Sequence, residues 1–238
     1  MDRDQPRTPG GRDWIVGAYA ASPCVAGWDP ALEARFFDGL RAMEGLGGLE
    51  LPFFGSLHRH DDGWLLGQLD PGWRLVLTMI PGVMIRLERE PHFGLASDDE
   101  AGRRAAIDYA DSARQVVLRI HRALGRRVVI GVEIHSAPTL GATGVGSSID
   151  SLARSLSELR GWDWEGAGLW IEHCDRHRPG QTPAKGFLAV ADELAAIGSS
   201  EGPTDAGILV NWGRSALEDR DPDAPLRHLR AARAIDML

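Results

Sequence analysis

An α/β fold built on a parallel sheet is what this sequence predicts, and three short apolar runs predict it. Residues 128–135 (VVIGVEIH), 169–175 (LWIEHCD) and 208–211 (ILVN) are each too short for a helix, and each leads through a loop into helix-like sequence. Parallel strands buried on both faces read in this way. Each run also stops at residues able to bind a metal or move a proton. In such folds chemistry gathers at the C-terminal ends of the strands.

The remaining elements follow in order. Residues 1–13 are polar, contain Pro and Gly and lack an apolar core, so they read as a disordered arm rather than a signal peptide. Residues 14–20 (WIVGAYA) form a first strand. Apolar side chains recur at helical spacing over 31–43, with Asp29 as N-cap and Pro30 at the first helical position, and Gly47-Gly48 as the stop. Strands are expected at 49–54 (LELPFF) and 73–80 (WRLVLTMI), the second closed by Pro81-Gly82. An acidic start at 97–100 introduces a long helix to Leu124, ended by Gly125. Strands at 127–135, 168–173 and 208–211 then alternate with helices at 148–159, 184–197 and 226–234. Six β-α units in one domain over 14–238 imply a parallel sheet, either doubly wound or closed into a barrel. No Gly-x-Gly-x-x-Gly follows the first strand, which removes the best support for a dinucleotide site.

Composition narrows the function. The 238 residues carry a net charge of −8, from 34 acidic against 26 basic side chains, a balance that argues against nucleic acid as partner. Lys185 is the sole lysine, a usage that fits codon bias in a GC-rich genome. Cys24 and Cys174 are too few for a disulfide framework. No apolar stretch approaches the ~18 residues of a membrane span, so a soluble, cytoplasmic protein is expected, with no membrane partner.

Side chains two apart on a strand share a face. Glu133 and His135 therefore lie together at the end of strand four, and Glu172 lies with Trp170 and Cys174 on strand five, with His173 and Asp175 pointing the other way. Convergence of Glu172, His135 and Asn211 at one rim would supply oxygen and nitrogen ligands for Mn²⁺, Zn²⁺, Fe²⁺ or Mg²⁺. Such an ion would stabilise an enediolate while a carboxylate, Glu133 or Asp175, moves the proton. The plainer alternative is that these groups pair with one another and with backbone at the ends of buried strands. Arg214 opens the loop after strand six and could fork onto a carboxylate or phosphate; its alternative is an ion pair with Glu218. Trp212 and His92 would line the same rim. Lys185 is a candidate for deprotonation, work that arginine cannot do.

Other motifs are weaker. His58-Arg59-His60-Asp61-Asp62 lacks the second histidine of a binuclear metal motif and reads as a polar loop over the pocket. The Gly/Ser stretch 141–148 lacks a phosphate-loop lysine. His121 falls inside a helix and reads as structural.

The segments VGAYAASP (16–23), LELPFFG (49–55), HFGLASDDEAGR (92–103), IHSAP (134–138), IEHCD (171–175), KGFL (185–188) and NWGRSALE (211–218) resemble an uncharacterised bacterial family, a domain of unknown function. That family is similar to the xylose-isomerase-like TIM barrels. The resemblance implies a (β/α)₈ barrel with a divalent-metal site at its strand ends, in which Glu172 and His135 match ligand positions after strands five and four. Asn211 stands where the sugar enzymes carry an acidic ligand on strand six. The last two strands have no counterpart, so the barrel is expected to be incomplete, with two sheet edges that a second copy could cover. The expected activity is metal-dependent isomerisation or epimerisation of a small sugar, sugar acid or sugar phosphate. A catalytically silent carbohydrate-binding barrel is the second reading, and a metal-dependent phosphodiesterase the third.

Overall fold

The computed structural model describes residues 14–24, 27–141 and 144–235; the expected N-terminal arm lies outside them. Six strands, β1 (Trp14–Val16), β2 (Leu46–Pro52), β3 (Arg74–Thr78), β4 (Val129–Ile134), β5 (Gly168–His173) and β6 (Ala206–Val210), lie side by side in chain order, each parallel to its neighbour. A doubly wound sheet reverses its strand order at a switch point. No reversal occurs here, and the sheet is a curled half-barrel. The helices are α1 (Pro30–Arg41), α2 (Asp62–Gln68), α3 (Ile80–Leu87), α4 (Glu100–Leu124), α5 (Ile149–Arg160), α6 (Val190–Ser199), α7 (Trp212–Asp219) and α8 (Ala224–Ala234).

Strand alternation divides the sheet into two chemistries. Leu49, Leu51, Leu75, Leu77, Val132, Ile134, Leu169, Ile171 and Ile208 are buried in the main core, which includes Phe37 and Leu40 of α1, Val117 and Ile120 of α4 and Leu152, Leu156 and Leu159 of α5. Each such side chain contributes roughly 1.5–3 kcal/mol by leaving water. The alternate residues, Gly48, Glu50, Thr78, Gly131, Glu133, Trp170 and Glu172, belong to the concave face. There the ring of Trp170 crosses β4 at Gly131, where a Cβ would sit 2.2 Å from the indole.

Capping residues set the helix starts. Asp29 accepts from the backbone N–H groups of Ala31 and Leu32, Asp99 from Gly102 and Ser148 from Ser151. Gly125, at φ 67°, closes α4. Four expectations are corrected. Gly47-Gly48 does not end α1 but lies inside β2, because β3 runs so close that a Cβ on Gly48 would meet the Arg74 carbonyl oxygen at 1.7 Å. The first strand stops at Val16 and turns into a 3₁₀ segment, Ala18–Ala21. Residues 184–189 are a loop rather than the start of α6. Arg214 lies in the first turn of a helix, α7, rather than in a loop.

Candidate functional site

The strand ends bring the expected group together. The His135 side chain follows β4 and meets Glu172 of β5, with Nε2 2.8 Å from Oε2. The Asn211 amide, at the end of β6, donates to the other oxygen of Glu172 at 2.7 Å. Asn211 also caps α7, its side-chain oxygen accepting the Arg214 backbone N–H at 3.1 Å. Cys174 joins the group, one ligand atom from each of His135, Glu172 and Cys174 lying within 4.8 Å of the others. The thiol lies two residues beyond Glu172, on the face that strand alternation assigns to both.

Burial and charge then separate the carboxyl groups. Burial, reinforced by the Glu50 and Glu172 carboxylates, pushes Glu133 up to about 8. Burial would also raise Glu172, but the His135 hydrogen bond and charge, the Asn211 amide and Arg214 outweigh it and hold that carboxyl below its usual range. Glu50, on β2, is raised by burial and by Glu172, and its carboxylate is hydrogen-bonded to Tyr19. A neutral carboxyl beside an ionised one is the arrangement that assigns acid and base roles in many active sites.

Lys185 is lowered by burial and by Arg214, and lies near enough to Cys174, Asp175 and Glu172 to feel their charge. Burial, with Glu172 and Glu193, keeps the Cys174 thiol well above its ordinary value. Arg214 turns towards Asp175, its Nη1 4.0 Å from Oδ1, and not towards Glu218. Trp212 is exposed at the start of α7. His92 lies in the connection between α3 and α4, its backbone carbonyl packed against Gly102.

Asp175 is buried, and its carboxylate accepts the backbone N–H groups of Ala184, Lys185 and Gly186 at 2.7–3.3 Å. The geometry gives it the work of folding the 176–187 segment back over the strand end. Asp175→Ala is expected to cost roughly 2–3 kcal/mol through the lost charge-assisted bonds. It should also make that segment cleavable in limited proteolysis; an unchanged digestion pattern and midpoint would remove the role.

The motifs read as weaker find structural roles. His121 accepts from the Val129 backbone N–H and faces Glu165, tying α4 to β4. His58 accepts the Asp61 N–H, and Asp61 caps α2. That loop joins Tyr19, Trp28, Glu33 and Glu50 around a cavity of about 600 Å³. The 141–148 stretch lies partly outside the described residues.

Sequence reasoning passed over Glu50 and Tyr19. The signal was present: with Leu49, Leu51 and Phe53 facing the core, alternation places Glu50 on the concave side with Glu133.

Residues 15–238 match the family described as Domain of unknown function (DUF4862). An uncharacterized protein of Salmonella typhimurium is 36% identical over 222 residues, covering 92% of this chain and 69% of that protein. The chain belongs to the DUF4862 family. Six of the segments on which the resemblance rested supply this DUF4862 site: VGAYAASP holds Tyr19, LELPFFG holds Glu50, IHSAP holds His135, IEHCD holds Glu172, Cys174 and Asp175, KGFL holds Lys185, and NWGRSALE holds Asn211 and Arg214. Among the described residues, no helix is long and apolar enough to cross a membrane.

Proposed function

We propose that the strand-end cluster is the active site of a metal-dependent isomerase or epimerase acting on a small sugar, sugar acid or sugar phosphate, in a fold of the xylose-isomerase-like barrel type. The observation that carries the reading is the meeting of His135, Glu172 and Cys174 beside Glu133 on adjacent parallel strands. Imidazole, carboxylate and thiolate suit a borderline ion such as Zn²⁺, and without the thiolate the pair also suits Mn²⁺ or Fe²⁺. The His135–Glu172 contact fits that use, because the two groups already point at one another. A bound ion would supply Lewis-acid stabilisation of the oxyanion formed when a proton leaves the carbon beside a carbonyl.

The chain's own residues account for the rest. Glu133 holds the proton to be exchanged, and the charge of Glu50 helps to keep it there. Lys185, with its lowered proton affinity, is a second proton carrier near enough to Glu172 to feel its charge. Arg214 offers a planar cation to a sugar acid or phosphate. The cavity beside Glu50, walled by Tyr19, Trp28, His58 and His60, combines aromatic faces with polar edges in the manner of a small-molecule pocket. Saturation of both Glu172 oxygens by His135 and Asn211 favours the second reading, a silent carbohydrate-binding barrel.

Hydrogen exchange tests the choice. The protein, supplied with Zn²⁺ or Mn²⁺ and a panel of aldoses, ketoses and their acids and phosphates in D₂O, should label one carbon next to a carbonyl. Glu172→Ala should abolish both the labelling and one equivalent of bound metal. Sugar binding with no labelling across the panel and no metal would favour the silent barrel.

A further inference from the structure

A second cluster lies on the other side of β5, facing α6, α7 and α8 instead of the rim. His173, adjacent in sequence to Glu172, is fully buried and points into the space between the sheet and these helices. Its Nδ1 is 2.7 Å from Glu193 Oε2, on α6, and its Nε2 is 3.1 Å from Glu218 Oε2, on α7. The ring of His228, on α8, meets that of His173 edge-on with centroids 4.9 Å apart. One ligand atom from each of His173, Glu218 and His228 lies within 4.8 Å of the others, and all three residues are buried.

The outer atoms of these residues are as well placed as the inner ones. Metal-bound histidines almost always give their second ring nitrogen to a carboxylate, carbonyl or other acceptor, which fixes the ring. Here Glu193 holds His173 Nδ1, and Glu193 is itself held by the buried Ser136 hydroxyl. Ser215 lies 3.0 Å from His228 Nδ1, leaving Nε2 for a ligand. Arg176 Nε stands 2.7 Å from Glu218 Oε1, and Oε2, which accepts the Arg176 backbone N–H at 3.0 Å, is the oxygen that faces His173. The rim cluster lacks this support, since His135 Nδ1 is buried without a partner among the described residues.

We infer that His173, His228 and Glu218 form a second divalent-metal site, structural and of zinc type, independent of the chemistry proposed at the rim. Two imidazoles and one carboxylate are a common zinc donor set, and ligands around a tetrahedral ion bound at 2.0–2.1 Å sit roughly 3.3 Å apart. The His173–Glu218 spacing already matches one such edge. His228 would have to come closer than the 4.8 Å limit within which the three ligand atoms lie. The ion would join β5, α7 and α8 directly, and α6 and the Ser136 segment after β4 through Glu193. It would thereby also fix the separation of Glu172 and His135, the neighbours of His173 and Ser136.

The test uses protein stripped by chelator and reloaded with Zn²⁺. Glu172→Ala should retain one equivalent of zinc, and X-ray absorption should show only nitrogen and oxygen neighbours, with no sulfur. Zinc at a hundredfold excess over its Kd should raise the melting midpoint of this variant by roughly 5–10 °C. His228→Ala should lose that equivalent and that rise. Loss of all zinc from Glu172→Ala, a zinc–sulfur distance in its spectrum, or an equal midpoint rise in His228→Ala would overturn the site. Should His228→Ala fail to fold, the stoichiometry and spectrum of Glu172→Ala decide. Absence of sugar turnover in the wild-type protein with the outer zinc bound would count against the rim proposal alone.

Discussion

Glu133→Gln is expected to lower isotope exchange or turnover by about 10²–10⁴-fold while making the folded protein more stable at neutral pH. The first effect is the usual loss on removing a positioned acid or base. The second follows from where the carboxyl sits: buried, and facing the carboxylates of Glu50 and Glu172. Folding raises its pKa from 4.5 to about 8. The folded state therefore retains a proton that the unfolded chain has released throughout that window. Stability linked to this group is complete below pH 4.5 and declines as the pH rises towards 8. At pH 7 the linked loss is about 3 kcal/mol, and glutamine, with the same shape and no titration, avoids it. Urea denaturation at pH 8 and below pH 4.5 checks the sign: the variant should gain at the higher pH and not at the lower. No gain at pH 8 would mean that the carboxyl is not held protonated. Unaltered turnover would remove Glu133 from the chemistry. A residue that improves activity at the expense of stability is the pattern expected of a working site.

His173→Ala is expected to give the largest stability loss, about 3–5 kcal/mol in metal-free protein, because it leaves the fully buried Glu193 carboxylate without a cation and Glu218 with Arg176 alone. The two carboxylates raise His173 to about 10 against the opposing effect of burial, so the ring is the positive centre of the cluster. In a chain of this size the loss corresponds to roughly 10 °C or more in the melting midpoint. The triple replacement of His173, Glu193 and Glu218 by apolar residues of similar volume should recover much of it. A midpoint within a degree or two of wild type for His173→Ala would show that water replaces the ring at no cost. The helices carrying the two glutamates would then be held by their apolar contacts alone.

These two residues show what the sequence discloses. Strands β4 and β5 are legible because both faces are buried, so the apolar runs stand out and the alternation within them places Glu133, His135 and Glu172 on one face. The same alternation turns His173 to the opposite side, but its partners cannot be read. Glu193 and Glu218 sit at helical positions where an acidic side chain ordinarily faces water, and only packing of α6 and α7 against β5 turns them inward. Three short helices were missed for a local reason. Asp62 reads as part of a polar loop, Pro81-Gly82 as the close of a strand and Trp212-Gly213 as the approach to a rim loop; each holds or adjoins a glycine, a poor helix former, yet each lies in the first turn of a helix. The caps Asp61 and Asn211 were the available signals for two of them. Asn211 also shows a residue with two duties: the position read as a metal ligand serves as a helix cap and holds Glu172 in place. The curled sheet in chain order follows from six β-α repeats, whereas the 176–187 loop depends on Asp175 reaching across to backbone groups that no local pattern marks.

The indole of Trp170, lying across Gly131 and close to Gly168, gives the concave side of the sheet a floor. Glu133 and Glu172 share that face with the ring, and Tyr19, Lys185 and Arg214 lie near enough for charge to act between them and these carboxylates. A side chain at Gly131 or Gly168 would displace the indole, so the shape of this face depends on two residues with no side chain of their own.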